Sequence, residues 1–209
     1  NGCGKFNSFT PKALKEIKSL GVTHVWYTGI IEHATQTDYT AFGIRKDHPA
    51  IVKGKAGSAY AIKDYYDVDP DLAENVTDRM GEFERLVERT HGAGLKVIID
   101  FVPNHVARQY GSDAKPEGVI DLGETDLTDY AFHSKNNFYY LPGQSFHPQF
   151  DVDGYVEFPA KATGNDQFTA HPGINDWYET VKLNYGVDYM NSRQPYFDPI
   201  PDTWHKMLH

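Results

Sequence analysis

The sequence predicts an α/β chain built from consecutive βα units, and three observations carry that prediction. Helix and strand signals alternate over residues 10–102, the strand candidates hold continuous apolar or β-branched runs such as Val97-Ile98-Ile99, and the connection after each strand is long. Continuous rather than alternating apolarity predicts strands covered on both faces, as in parallel sheets. In such folds functional groups collect on the loops that leave the strand ends.

The elements follow in order. In "TPKALKEIKSLG" Thr10 is placed to cap a helix, Pro11 suits its first position, Ala13, Leu14 and Ile17 form one stripe, and Gly21 ends it. "VTHVWY", residues 22–27, supplies a strand rich in β-branched and aromatic residues. A long loop over residues 28–76 comes next. A second helix is expected over residues 77–91, with Thr77 as cap, Met80, Phe83, Leu86, Val87 and Thr90 near helical spacing, and Gly92 and Gly94 as stops. A strand over 96–102 follows at once. Residues 103–201 are rich in Gly, Pro, Asp, Asn and aromatics and poor in helical period, so they are expected to form a small irregular subdomain rather than one structureless loop. The final "PDTWHKMLH" reads as a helix start capped by Asp202, with Trp204, Met207 and Leu208 on one face. With no initiator Met and a helix that stops after two turns, the chain reads as a piece of something longer.

Composition excludes several classes. The 209 residues are 40% hydrophobic and 23% charged, ordinary globular usage with enough chain for a core. A net charge of −9, with no Lys/Arg-rich run, argues against a nucleic-acid backbone as partner. No stretch approaches the length of an apolar membrane span, and the first residues resemble no signal peptide. The single Cys3 forms no internal disulfide and has no metal-ligand spacing. Aromatic content of 14% suits a carbohydrate-facing surface, and it suits core packing equally.

The chemistry concentrates in "KVIIDFVPNH", residues 96–105, where an apolar run gives way to Asp100, Asn104 and His105 within six residues. These side chains sit where a strand leaves the core, and Pro103 helps fix the exit. A carboxylate there orients neighbours, an amide oxygen is able to ligate a hard cation, and an imidazole is able to donate to a sugar hydroxyl. Satisfaction of loop backbone groups is the competing reading.

"DFVPNH", set inside "RTHGAGLKVIIDFVPNHVA", resembles the first conserved region, D-x-V-x-N-H, of the α-amylase family of glycoside hydrolases (family 13). "AYAIKDYYDVDPDL" and "LKEIKSLGVTHVWYTGI" resemble flanking stretches of that family, so the likeness covers roughly residues 5–106. It implies a partial (β/α)8 TIM barrel holding the second and third strands and the first two helices, with an irregular domain B after the third strand. The implied division is 1–103 as the N-terminal part of the barrel, 104–200 as the domain B-like insertion, and 201–209 as the start of the third barrel helix. By the same resemblance Tyr60 matches the aromatic that stacks on the sugar at the cleavage point, His105 the imidazole that binds its hydroxyl, Asp100 a carboxylate that orients the site, Asn104 a calcium ligand, and Asp64 a structural carboxylate.

Departures from the family pattern refine this. Ala61 stands where many relatives carry Asp or Trp, which does not support a glucose-pocket exo specificity. In "TVKLNYG", Lys182 replaces an acidic residue that commonly helps hold calcium. A cation beside Ca2+ is repulsive, so Lys182 competes with the Ca2+ that the resemblance implies as cofactor, its ammonium being the alternative occupant that bridges to Asn104. "DVDGYVE", residues 151–157, lacks most ligands of a calcium loop and reads as an acidic turn. Phe138, Tyr139, Tyr140 and Trp177 are candidates for a cleft wall or for core packing.

Retaining glycoside hydrolysis needs two carboxyl groups about 5 Å apart. The resemblance puts those groups after later strands, so no catalytic residue is assigned and the chain alone is expected to be inactive on α-linked glucans such as starch and maltooligosaccharides. The parent is expected to be a hydrolase or a transglycosylase of these glucans, extracytoplasmic by family habit. A non-catalytic carbohydrate-binding or transport-associated protein with the same barrel is the rival. A metal-dependent hydrolase is suggested only by 10 His, without H-x-H or H-E-x-x-H, and no G-x-S-x-G nucleophile motif is present.

Overall fold

The computed structural model describes residues 4–189 and 201–208. In chain order they form α1 (Pro11–Ser19), β1 (His24–Tyr27), β2 (Ile31–His33), β3 (Ile62–Val68), α2 (Arg79–Gly92), β4 (Lys96–Ile99), β5 (His105–Ala107), β6 (Tyr140–Leu141), β7 (Ala160–Lys161), β8 (Thr180–Lys182) and α3 (Pro201–Leu208). Cys3 and residues 190–200, the last part of the expected insertion, lie outside the described residues.

Helix α1 forms as its sequence signals direct: the Thr10 hydroxyl accepts from the Ala13 N–H at 3.2 Å, Pro11 opens the helix, and Leu14 is buried. Helix α2 is entered differently. The chain turns through a 3-10 segment, Val76–Asp78, in which Asn75 rather than Thr77 caps, its side chain accepting from Thr77 N. Glu82 reaches back to the Glu74 and Asn75 N–H groups at 2.9 and 2.7 Å and fixes that entry. The helix buries Glu82, Leu86 and Thr90, and Met80 falls outside this stripe.

Strands β1 and β4 pair in parallel, His24 with Lys96 through Tyr27 with Ile99. Two expectations change here. The second strand ends at Ile99, and the pair is covered on one face only. Tyr27, with Val25 and Val97, packs toward Phe6 and Leu86, whereas Trp26 is 62% exposed and Ile98 47%. The run is apolar enough for two covered faces, but among the described residues the four sheets are all two-stranded and none closes.

The long loop over 28–76 holds an antiparallel pair, β2 with β3, that the sequence reading did not separate. Charges in β3 disguise it. Lys63 is buried and lies 3.2 Å from Asp47 and 3.7 Å from Glu32, so polar positions here point inward against one another rather than outward.

The remaining strands are two or three residues long. β5 pairs antiparallel with β8, His105 opposite Lys182, and β6 pairs with β7. Two apolar clusters fill this region, one around Phe146, Leu141 and Tyr178, the other around Val106, Phe138, Val181 and Met207. Between them runs the Arg108 side chain, fully buried. It donates to Tyr178 O at 2.5 Å, to Thr180 O at 3.2 Å, to Lys161 O at 3.3 Å and to Glu157 Oε1 at 2.7 Å, and stacks over Phe146 at 4.1 Å. In α3 the buried residues are Thr203 and Met207, while Trp204 and Leu208 are exposed. Asp202 falls in the first turn instead of capping it, and accepts from Asn137 Nδ2 at 2.9 Å. A spacing of four residues joins Thr203 to Met207, so the helix turns a different face inward from the one its largest apolar side chains suggest.

Glu157 Oε1 also accepts from Lys161 N, and its other oxygen accepts from the Tyr155 hydroxyl. Glu157→Ala leaves a buried guanidinium without its counter-charge, and urea denaturation is expected to show a loss of about 3–5 kcal/mol. A loss below about 1 kcal/mol, the range of exposed pairs, would show that this pair does not organise the region.

Candidate functional site

The chain leaves β4 at Asp100, turns at Pro103 and re-enters a strand at His105, so the end of the parallel pair and the start of β5 lie close together. There His105 and Tyr60 line one cavity of about 340 Å³ with Ser58, Val102, Trp177, Glu179 and Thr180. Tyr60 and Trp177 show open ring surface, 51% and 45% exposed, and the Trp177 ring lies 5.2 Å from the His105 ring. The Tyr60 N–H meets Ser58 Oγ at 3.3 Å, which shapes the turn that presents the phenol.

His105 itself is buried. Burial lowers its imidazole pKa and the Lys182 charge lowers it further, against a hydrogen bond to the Tyr60 backbone that raises it; the net shift is downward. The ring is therefore a neutral donor and acceptor near neutral pH. Gly164 allows the close packing behind it: a Cβ there would sit 2.4 Å from Thr180 Oγ1 and 2.9 Å from His105 Cβ.

Asn104 lies directly behind His105. Its Oδ1 accepts from Lys182 Nζ at 2.6 Å, its Nδ2 donates to Gly164 O at 2.9 Å, and Nδ2 lies 2.9 Å from His105 Nδ1. Lys182 also pairs with Asp166 at 2.8 Å. The oxygen that a calcium ion would need already faces an ammonium, so the residues around Asn104 do not fit a divalent cation. Among the described residues no three His, Cys, Asp or Glu side chains come together as metal ligands. In the acidic turn, Asp151 Oδ1 accepts from Asp153 N at 2.9 Å.

Asp100 stands apart from the cavity lining. Its Oδ1 accepts from Trp26 Nε1 at 2.8 Å, and its buried Oδ2 has no partner among the described residues. Asp64 is saturated instead: Oδ2 accepts from Ser112 Oγ, Asp113 N and Ala114 N, and Oδ1 from Tyr66 N. Of the four candidate aromatics, Phe138, Tyr139 and Tyr140 are buried and only Trp177 lines the cavity. Ala61 is buried among Ala34, Val52 and Ala107. Glu179 was not marked by any sequence motif. It is paired with Lys53 at 3.1 Å, and Lys53 also donates to Asp176 O.

The family model for the alpha amylase catalytic domain matches residues 1–152. The chain belongs to the α-amylase family. Over 208 residues, 96% of the chain and 18% of the relative, it is 29% identical to an alpha-amylase of Streptomyces lividans. Over 51 residues, 24% of the chain and 7% of the relative, it is 41% identical to the amino acid transporter heavy chain SLC3A1 of Rattus norvegicus. The chain thus spans less than a fifth of either relative. A solved structure described as a family GH13_31 enzyme superposes on 100% of the chain and 30% of its own length, with a TM-score of 0.50 and 18% identity, a likeness of fold. Members of this family carry TIM-barrel catalytic domains and include α-glucan-active glycosidases. Among the described residues no helix is long and apolar enough to cross a membrane.

The loop bearing Tyr60 is anchored by the β2–β3 pair, through Ala34 N to Ala61 O at 2.9 Å, and that pair is charged inside. Burial pushes the Glu32 carboxyl up to about 8 against the pull of Lys63, and burial likewise raises Asp47. For His33 burial acts downward, but its ion pair with Asp69 at 2.8 Å prevails and the net shift is upward. All three hold protons in the folded chain at pH values where the unfolded chain has released them, so each contribution falls as pH rises, for Glu32 between the ordinary carboxylate range and about 8. The urea midpoint is expected to be lower near about pH 8.5 than near about pH 6, and Glu32→Gln is expected to shrink that difference. An unchanged difference would remove Glu32 as its source. Calcium or a chelator is expected to leave the unfolding midpoint where it is; stoichiometric calcium, lost in Asn104→Ala, would reverse the assignment of that position to Lys182.

Proposed function

We propose that this chain supplies the sugar-binding side of an α-glucan-active retaining glycoside hydrolase, with residues 1–103 as barrel, 104–200 as a domain B-like insertion and 201–209 as the opening of the next barrel helix. The observation that carries this reading is the shared cavity of Tyr60 and His105. An exposed phenol face suits the C–H surface of a pyranose ring, and a neutral imidazole beside it suits a hydroxyl. Trp177 adds a second open aromatic surface at the same mouth. Asp100, with one buried oxygen unpartnered among the described residues, is the carboxylate that orients the site, and Lys182 takes the place of Ca2+ beside Asn104.

The catalytic pair belongs elsewhere. Glycosyl transfer through a covalent intermediate needs a nucleophile and an acid/base about 5 Å apart. The cavity lining offers one carboxylate, Glu179, and Lys53 holds it. Hydrolysis and transglycosylation would use the same binding surface. A transport-associated protein with no turnover is the second reading, supported by the 51-residue stretch similar to the transporter heavy chain.

Calorimetry with maltoheptaose tests the proposal. Binding is expected, weakened about tenfold, or ~1.4 kcal/mol, by Tyr60→Ala, with no reducing ends released by the 209-residue chain. Absence of binding would defeat the sugar-binding reading. Turnover abolished by Glu179→Gln would defeat the placement of the catalytic groups.

A further inference from the structure

The contacts behind His105 form a directed series. Lys182 Nζ has hydrogens to give and no lone pair, so the Asn104 atom 2.6 Å away is the amide oxygen. The amide nitrogen is thereby turned to the other side, where its two hydrogens meet Gly164 O and His105 Nδ1, each at 2.9 Å. Both acceptors suit it, and both amide hydrogens are used. Nδ1, facing a group that only donates, must act as an acceptor. The proton of the neutral imidazole is then on Nε2.

We infer that Lys182 is a positioning residue: its ammonium sets the orientation of the Asn104 amide, and the amide sets His105 as the Nε2–H tautomer in the cavity it shares with Tyr60. The register of β5 on β8 makes this possible, because His105 and Lys182 are opposed across the ladder and Asn104 lies one residue before it. Asp166 holds the ammonium from its far side at 2.8 Å. Use of the cavity by a sugar rests on the function proposed above, but the series does not, and it is tested without a sugar.

Two-bond proton–nitrogen NMR spectra of the histidine-labelled chain read the tautomer directly, and His105→Gln assigns the signal among the 10 His. At a pH where the ring is neutral, His105 is expected to show a pyridine-like Nδ1 and a pyrrole-like Nε2. Lys182→Met frees the amide to turn, and the two nitrogens should move toward averaged or exchanged shifts, while Lys182→Arg, still a donor, keeps the original pattern. Asn104→Asp provides a second route if Lys182→Met does not fold. A carboxylate oxygen facing Nδ1 draws the proton there, and the pattern should invert. A pyrrole-like Nδ1 in the unaltered chain, or an unchanged pattern in either folded variant, would overturn the inference; a merely structural lysine would alter stability and leave the tautomer alone.

Discussion

The buried guanidinium of Arg108 is the constraint on which the irregular half of the molecule depends. Strands of two or three residues offer few ladder bonds, and turns between them leave carbonyls that must be satisfied inside. Arg108 gathers carbonyls from Tyr178, Thr180 and Lys161 and closes the charge with Glu157. A planar group with five donors in a fixed fork is suited to that task in a way a lysine is not. Without Glu157 the desolvation of the guanidinium would go uncompensated, and with it the β5–β8 pairing is held in the register that sets His105 opposite Lys182.

Order around the cavity follows from how completely each polar group is used. Asp64 has taken all the donors it is able to hold, and it locks β3 to the loop at Ser112. Asn104 spends both amide hydrogens and takes the Lys182 ammonium on its oxygen. The groups facing open space are of another kind: the apolar faces of the Tyr60 and Trp177 rings, whose polar atoms lie at the ring edge, and a neutral imidazole fixed from behind. A rigid polar backing with an apolar, aromatic front is an arrangement that binds through shape and a few directional contacts rather than through charge.

How much of this was legible in the sequence depended on whether local chemistry or tertiary pairing decided each element. Helix α1 was fully legible, because Thr10, Pro11 and Gly21 act within a few residues of themselves. The parallel pairing of β1 and β4 followed from the alternation of units, and "DFVPNH" placed His105 at the strand exit. The β2–β3 pair was hidden because Lys63 and Asp64 are buried with partners far along the chain. Thr77 does not cap α2, because the chain enters through a 3-10 turn capped by Asn75 and held by Glu82. Trp177 could be named as a candidate but not separated from Tyr139 or Tyr140, since an aromatic side chain carries no mark in the sequence of whether it will face a core or a cavity. Glu179 and Lys53 had no signal at all, being joined across 126 positions only by folding.

The uncovered face of the parallel pair has a practical outcome for anyone handling these residues in isolation. Trp26 and Ile98, opposed across the β1–β4 pair, form an exposed apolar surface beside edges that no further strand covers among the described residues. Such a border invites another extended segment to add itself, so at high concentration the 209-residue polypeptide is a candidate for sticky, filament-like self-association. Dilute storage and a masking surfactant or fusion partner follow as the sensible conditions for working with it.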